Sequence, residues 1–153
     1  MIVYDTVSPM KLTAKIAETI LEALKEKGIE VDSFYIKDID PATVKNYDCL
    51  IAGAPTMAFR ASSGIMQFLN GFSDMEFSGK MGAAFDTQMQ SRFSGNAAEG
   101  IRKKLEKLGY RMITPPLVAY VAGKTNSMQL KEGGLEKAKN WAQEVANALS
   151  SRA

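Results

Sequence analysis

A chain of 153 residues, 46% apolar and 24% charged, has the size and balance of one soluble globular domain. Its 19 basic and 17 acidic side chains leave a net charge of +2, too mild to argue for nucleic acid, which asks for a clustered basic face. A single cysteine excludes an internal disulfide framework and suits a reducing cytoplasm, and the absence of histidine excludes His-based triads and histidine metal sites.

Met1 leads almost directly into strand-like Ile2-Val3-Tyr4, leaving no room for a signal sequence, and no apolar run approaches the roughly 18 residues of a membrane span. A cytoplasmic protein without membrane contact is therefore expected. After that first strand, Ile16, Ala17, Ile20, Leu21 and Leu24 recur at helical spacing, and Lys27-Gly28 ends the helix. Glu30 to Ile36 reads as a half-exposed strand, and Asp40-Pro41 starts a short helix through Val44. Cys49 to Gly53 is the clearest buried strand. Ile65, Phe68, Leu69 and Phe72 form a helical stripe behind Ser62-Ser63, and Met81 to Phe85 reads as a fourth strand. Ala97, Ala98, Ile101, Leu105 and Leu108 line another helix, closed by Gly109. Leu117 to Val121 is a fifth strand, placed at a sheet edge because Pro115-Pro116 precedes it. The last helix carries Leu135, Ala138, Trp141, Ala142, Val145 and Leu149 on one side.

Strands alternating with helices, without repeat or linker, predict a single α/β domain, 1–153, with an open, mostly parallel sheet covered by helices on both faces. In such sheets a ligand binds outside the carboxyl ends of the strands, where strand order reverses. Three long polar segments fall there: residues 5 to 13, 54 to 61 and 86 to 96. Connections on the opposite edge, such as Lys27-Gly28 and Leu108-Gly109-Tyr110, are tight.

The first of these segments leads into a helix start, where backbone N–H groups and the positive end of the dipole suit a phosphate. Ser8 and Thr13 add hydroxyls, and Pro9 fits the first helical position. Ser8 reads equally as an ordinary helix cap.

Taken with "GAPTM" (53–57) and "FDTQMQSRFSGNAAEGIRKKLEKLGY" (85–110), the strand–loop–helix start resembles the flavodoxin family over essentially the whole chain, in its short-chain form. The resemblance implies a doubly wound, five-stranded parallel sheet of order 2-1-3-4-5 in a three-layer α/β/α domain. It implies FMN as cofactor and a role in carrying electrons between redox partner proteins. The family's phosphate loop follows Ser/Thr-x-Thr-Gly-x-Thr. "SPMKLT" (8–13) keeps the outer hydroxyls, but Met10 replaces the inner threonine and Lys11 the glycine. Ser8, Pro9, Met10, Lys11, Leu12 and Thr13 thereby become the expected phosphate contacts, with a second register that sets Thr6 opposite Thr13. Lys11 offers a charge-assisted contact in place of the glycine wrap.

The same resemblance runs the segment Pro55, Thr56, Met57, Ala58 and Phe59 beside the flavin ring, with Met57 or Phe59 on one face and Phe93 on the other, while Met57 and Phe59 by themselves read equally as local packing of the loop on its own helix. Asp86, Thr87 and Gln88 are the expected polar contacts to the ring edge or ribityl chain. Phe93 reads equally as a staple beside Ser94 as helix cap. Ala58 stands where relatives often place glycine next to the flavin N5, and positive φ costs alanine about 1 kcal/mol. Arg60 adds a cation near the ring. No catalytic side chain is expected, because the flavin carries the redox chemistry.

Two other functions fit the same residues: an NAD(P)H-dependent FMN quinone reductase, and a flavin-free interaction module on the same fold. Cys49 and Trp141 read as core, and Arg102-Lys103-Lys104-Glu106-Lys107 as the solvated face of its helix. Asp5 lacks the acidic cluster of a phosphoacceptor site.

Overall fold

Apolar residues alternate in the central strands, and neighbours in sequence go to opposite faces of the sheet. Ile2, Ile51, Ala83 and Phe85 pack with Ile16, Ile20, Trp141 and Val145 on one face. Val3, Leu50, Ala52 and Ala84 pack with Ile65, Leu69, Ile101 and Leu105 on the other. The computed structural model describes residues 1–91 and 95–151. In chain order the elements are β1 (Ile2–Tyr4), α1 (Leu12–Glu26), β2 (Ser33–Tyr35), β3 (Cys49–Met57), β4 (Arg60–Ala61), α2 (Ser63–Asn70), β5 (Met81–Met89), α3 (Ala97–Lys107), β6 (Arg111–Met112), β7 (Leu117–Ala122), β8 (Gln129–Leu130) and α4 (Gly134–Ser150). Two 3₁₀ segments, Ile36–Asp38 and Pro41–Asn46, join β2 to β3.

The sheet order is β2-β1-β3-β5-β7-β8, with β4 on β3 and β6 on β5. Its five principal strands are parallel and follow the expected 2-1-3-4-5 order. Helices α1 and α4 contribute to one core cluster, α2 and α3 to the other, so the sheet is the middle of three layers. No described helix is long and apolar enough to cross a membrane.

Three departures from the sequence reading bear on function. Strands β3 and β5 each run nine residues, past Gly53 and Phe85. Their pairing continues through Ala54↔Asp86 and Pro55↔Thr87, and β7 holds β5 out to Met89. Much of what reads as polar loop is therefore buried strand. The fifth strand, β7, is not a free edge. Its last two residues pair antiparallel with β8, and Pro115-Pro116 lie before the strand. Strand β2 shrinks to three residues, since only Ser33–Tyr35 pair with β1.

Trp141 is core as expected, its Nε1–H donating to the Pro115 carbonyl at 2.8 Å. Burial pushes the Cys49 thiol up to about 11, which leaves it protonated and unreactive near neutral pH. The basic run on α3 is a solvated face: Arg102 pairs with Glu99 and Glu106 one turn to either side.

Candidate functional site

Seven large apolar side chains are exposed among the described residues, and five of them, Val7, Met10, Met57, Phe59 and Met89, follow or end strands β1, β3 and β5 at the carboxyl edge. That concentration at one edge distinguishes it from a surface with apolar residues scattered singly.

The first loop begins from a buried carboxylate. Asp5 continues β1 by donating its N–H to the Gly53 carbonyl at 3.0 Å. Its Oδ1 accepts the Thr6 N–H at 2.9 Å and its Oδ2 accepts the Ser62 hydroxyl. Ser62 in turn caps α2, so Asp5 ties the end of β1 to that helix. A phosphoacceptor role does not fit a carboxylate so enclosed.

Residues 8 to 11 form a turn in which the Lys11 N–H donates to the Ser8 carbonyl at 3.1 Å. Pro9 takes the second position of that turn, a place its fixed φ suits, rather than the first helical position expected from sequence. The helix starts at Leu12 with Lys11 as its N-cap, and no side chain caps it. Ser8 is therefore not the helix cap. Lys11 has φ 51° and ψ 44°, the left-handed conformation that a glycine takes without cost. It occupies the pattern's glycine position and adopts a glycine's shape. Lys11→Gly is expected to raise stability by about 0.5–1 kcal/mol, a rise of roughly 2–4 °C or less in melting temperature, while Lys11→Ala gains nothing because it keeps the Cβ penalty. Thermal unfolding of the two variants side by side checks this.

The hydroxyls of the loop divide into two sets. Thr13 is buried in the first turn of α1, and its Oγ1 lies 2.7 Å from Thr87 Oγ1 on β5. These two expected ligand contacts bond each other. Thr6 Oγ1 is enclosed but has no hydrogen-bond partner. Thr6, Ser8 and Lys11 line a cleft of about 510 Å³ with Tyr4 and Tyr35, whose rings stack at 5.9 Å between centroids. The second register, with Thr6 as a contact, thus has the unpartnered hydroxyl. Leu12 is buried beneath the turn, and Met10 is exposed on top of it.

The second loop is a tight hairpin. Thr56 pairs with Ala61 and Met57 with Arg60, leaving a two-residue turn of Ala58 (φ 47°) and Phe59 (φ 73°). Positive φ at both central residues is the type I′ pattern, for which Asn-Gly is the favoured pair. An Ala-Phe pair holds that shape at a cost on the order of 1 kcal/mol per residue, and such outliers gather at functional sites. Phe59 at the tip is 69% exposed. Its backbone bridges Gly95, where φ is 79° and an added Cβ would lie 2.1 Å from the Phe59 carbonyl oxygen.

The third segment closes on itself. Asn96 caps α3 by accepting the Glu99 N–H at 3.0 Å, and the expected cap Ser94 lies, with Phe93, outside the described residues. Thr56 Oγ1 accepts the Ala97 N–H at 3.0 Å. Asp86 Oδ2 accepts the Ala98 N–H at 3.0 Å, the Gln88 amide at 2.7 Å and the Thr56 hydroxyl at 3.4 Å. Burial pushes the Asp86 carboxyl above the ordinary carboxylate range; these donors, and a weaker pull from the Ala119 amide, offset that only in part. Its Oδ1 has no partner in hydrogen-bond geometry. Thr56, Asp86 and Gln88 thus form the network that holds the start of α3, Thr87 bonds Thr13 of α1, and Pro55 lies within β3, its carbonyl accepting the Ser62 N–H at 3.1 Å.

No family model matches the sequence, and no curated protein matches it either. Solved structures do. Flavodoxin 2 from Bacillus cereus superposes with a TM-score of 0.79 at 21% identity, over 95% of this chain and 97% of that one. A short-chain flavodoxin associated with a non-canonical PDU bacterial microcompartment gives 0.79 at 15% identity, over 96% of each chain. Rubredoxin oxygen:oxidoreductase from Desulfovibrio gigas gives 0.78 at 21% identity over 98% of this chain, which spans only 35% of that larger protein. Likeness at such low identity over the full length of the flavodoxins establishes that this chain has the flavodoxin-like fold.

Proposed function

We propose that the chain is an FMN-binding electron carrier that passes electrons between redox partner proteins in the cytoplasm. The observation that carries this reading is the gathering of exposed apolar side chains at the carboxyl edge beside the one α-helix start among the described residues that bears neither a side-chain cap nor an acid in its first turn. The other three starts carry Ser62, Asn96 with Glu99, and Glu136. A flat apolar ring with a phosphate tail matches that pairing of features.

In this reading the free N–H groups at the start of α1, the Thr6 and Ser8 hydroxyls and the Lys11 ammonium hold the phosphate. Met57 and Phe59 on the hairpin, with Met89 at the end of β5, flank the ring and exclude water from it. When bound, the isoalloxazine supplies the electron chemistry. Arg60, beside the hairpin turn, adds positive charge that favours the reduced, anionic ring.

Titration with FMN, followed by flavin fluorescence quenching, is expected to show one site with a Kd below 1 μM; Phe59→Ala weakens it about tenfold and Thr6→Val by a similar factor, about 1.4 kcal/mol each. Failure of FMN to bind at micromolar concentration overturns the reading in favour of a flavin-free interaction module. Steady turnover of NAD(P)H with a quinone replaces the carrier by a reductase.

A further inference from the structure

On the sheet face covered by α2 and α3, the hairpin forms one wall of a second cleft, of about 830 Å³. It shares no residue with the cleft at the first loop, which opens on the α1 side. Its volume falls within the range of small-molecule sites. Met57, Phe59 and Met66 supply apolar walls, and Arg60 and Lys103 supply charge. Glu99 also lines it, but the Arg102 guanidinium binds both of its oxygens and holds its carboxyl below the usual carboxylate range. Neither Arg60 nor Lys103 has a carboxylate within ion-pair distance among the described residues. The cleft is therefore apolar with a net positive rim.

An independent observation comes from its floor. Gly100 sits inside α3, where glycine is the least favourable residue apart from proline. Its φ needs no glycine, and an added Cβ would meet nothing within 4 Å. Packing within the chain gives no reason for a missing side chain there. Space for something lying against the helix does.

We propose that this cleft is a binding site for a small aromatic anion, its ring body between the hairpin and the exposed helix face at Gly100 and its acid group between Arg60 and Lys103. The cleft shares Met57, Phe59 and Arg60 with the flavin reading, so the two sites adjoin at the hairpin, the one anchored at α1 and the other on the face of α2 and α3.

The probe is 8-anilinonaphthalene-1-sulfonate, titrated by fluorescence into the protein with and without saturating FMN, against its neutral analogue N-phenyl-1-naphthylamine. One dye per chain is expected with and without FMN, bound at least fivefold tighter than the neutral compound. Gly100→Leu should weaken it at least tenfold, and Arg60→Glu with Lys103→Glu by a comparable factor. Gly100→Ala should weaken it two- to threefold while raising the melting temperature, which separates filling of the cleft from unfolding. Competition by FMN, indifference to Gly100→Leu or equal affinity for the neutral dye overturns the site. A protein that takes the dye and not FMN overturns the carrier reading alone.

Discussion

Asp86→Ala is expected to lower the unfolding free energy by about 3–4 kcal/mol. The carboxylate receives the Ala98 N–H, the Gln88 amide and the Thr56 hydroxyl, all at the junction of β3, β5 and α3. Alanine strands these donors in a buried place, and each buried donor left unmade costs about 1–3 kcal/mol, the weakest contact at 3.4 Å least. Asp86→Asn separates charge from acceptor. Because burial raises the folded pKa above the unfolded one, the folded state holds its proton more tightly. Wild-type stability is then greatest below the unfolded pKa, near 4, falls as pH rises to the folded pKa, and levels off above it. Asparagine retains an acceptor for Ala98, abolishes that slope and is at least as stable as wild type at pH 7. Urea unfolding of the three proteins from pH 4 to 8 checks both statements. An asparagine variant as weak as the alanine one would mean that the negative charge at the start of α3 outweighs its burial.

The second large effect falls on the ligand. Gly95→Val places a β-branched residue at φ 79° with its Cβ inside the space of the Phe59 carbonyl. Backbone cannot yield as a side-chain tip does, so the bridge between residues 59 and 95 is lost. The hairpin pairs of β3 and β4, and the network on Asp86, do not depend on that bridge. FMN affinity is therefore expected to fall at least tenfold, with less than about 2 kcal/mol lost from global stability. Hydrogen exchange should rise at residues 58 to 60 and stay unchanged in α3. Equal affinity in wild type and variant would remove the hairpin–loop contact from the binding site.

The five-strand order was legible because each buried strand is a short apolar run followed by a helical stripe with its own stop signal, as at Lys27-Gly28 and Leu108-Gly109. The carboxyl edge was singled out by the long polar segments after the first, third and fourth strands, although much of the last two is strand. The roles within it were not legible. Asp86, Thr87 and Gln88 read as ligand contacts because the resemblance lays the polar segment after Phe85 beside the ligand, and nothing local shows that this segment is buried strand whose polar groups meet Thr13, Thr56 and the start of α3. Those partners come from elements 12 to 74 residues away. Lys11 shows the converse. The motif alignment puts lysine where glycine is usual, and propensity alone argues that the turn must change. The rest of the loop holds the glycine conformation anyway, at lysine's cost. The hairpin of Ala58 and Phe59 escaped notice for the same reason, since neither residue advertises a type I′ turn.

The unequal treatment of the four helix starts has a further consequence. Starts α2 and α3 carry side-chain caps and α4 an acid in its first turn, whereas α1 has neither. A rod-shaped molecule with one acidic end can then lie on this edge in a single direction, tail over α1 and body toward the hairpin. Turning it end for end would set its charge against α3, whose first N–H groups are already taken by Thr56, Asp86 and Asn96. The edge is a polarised seat, and whatever sits there presents the same end to every visitor.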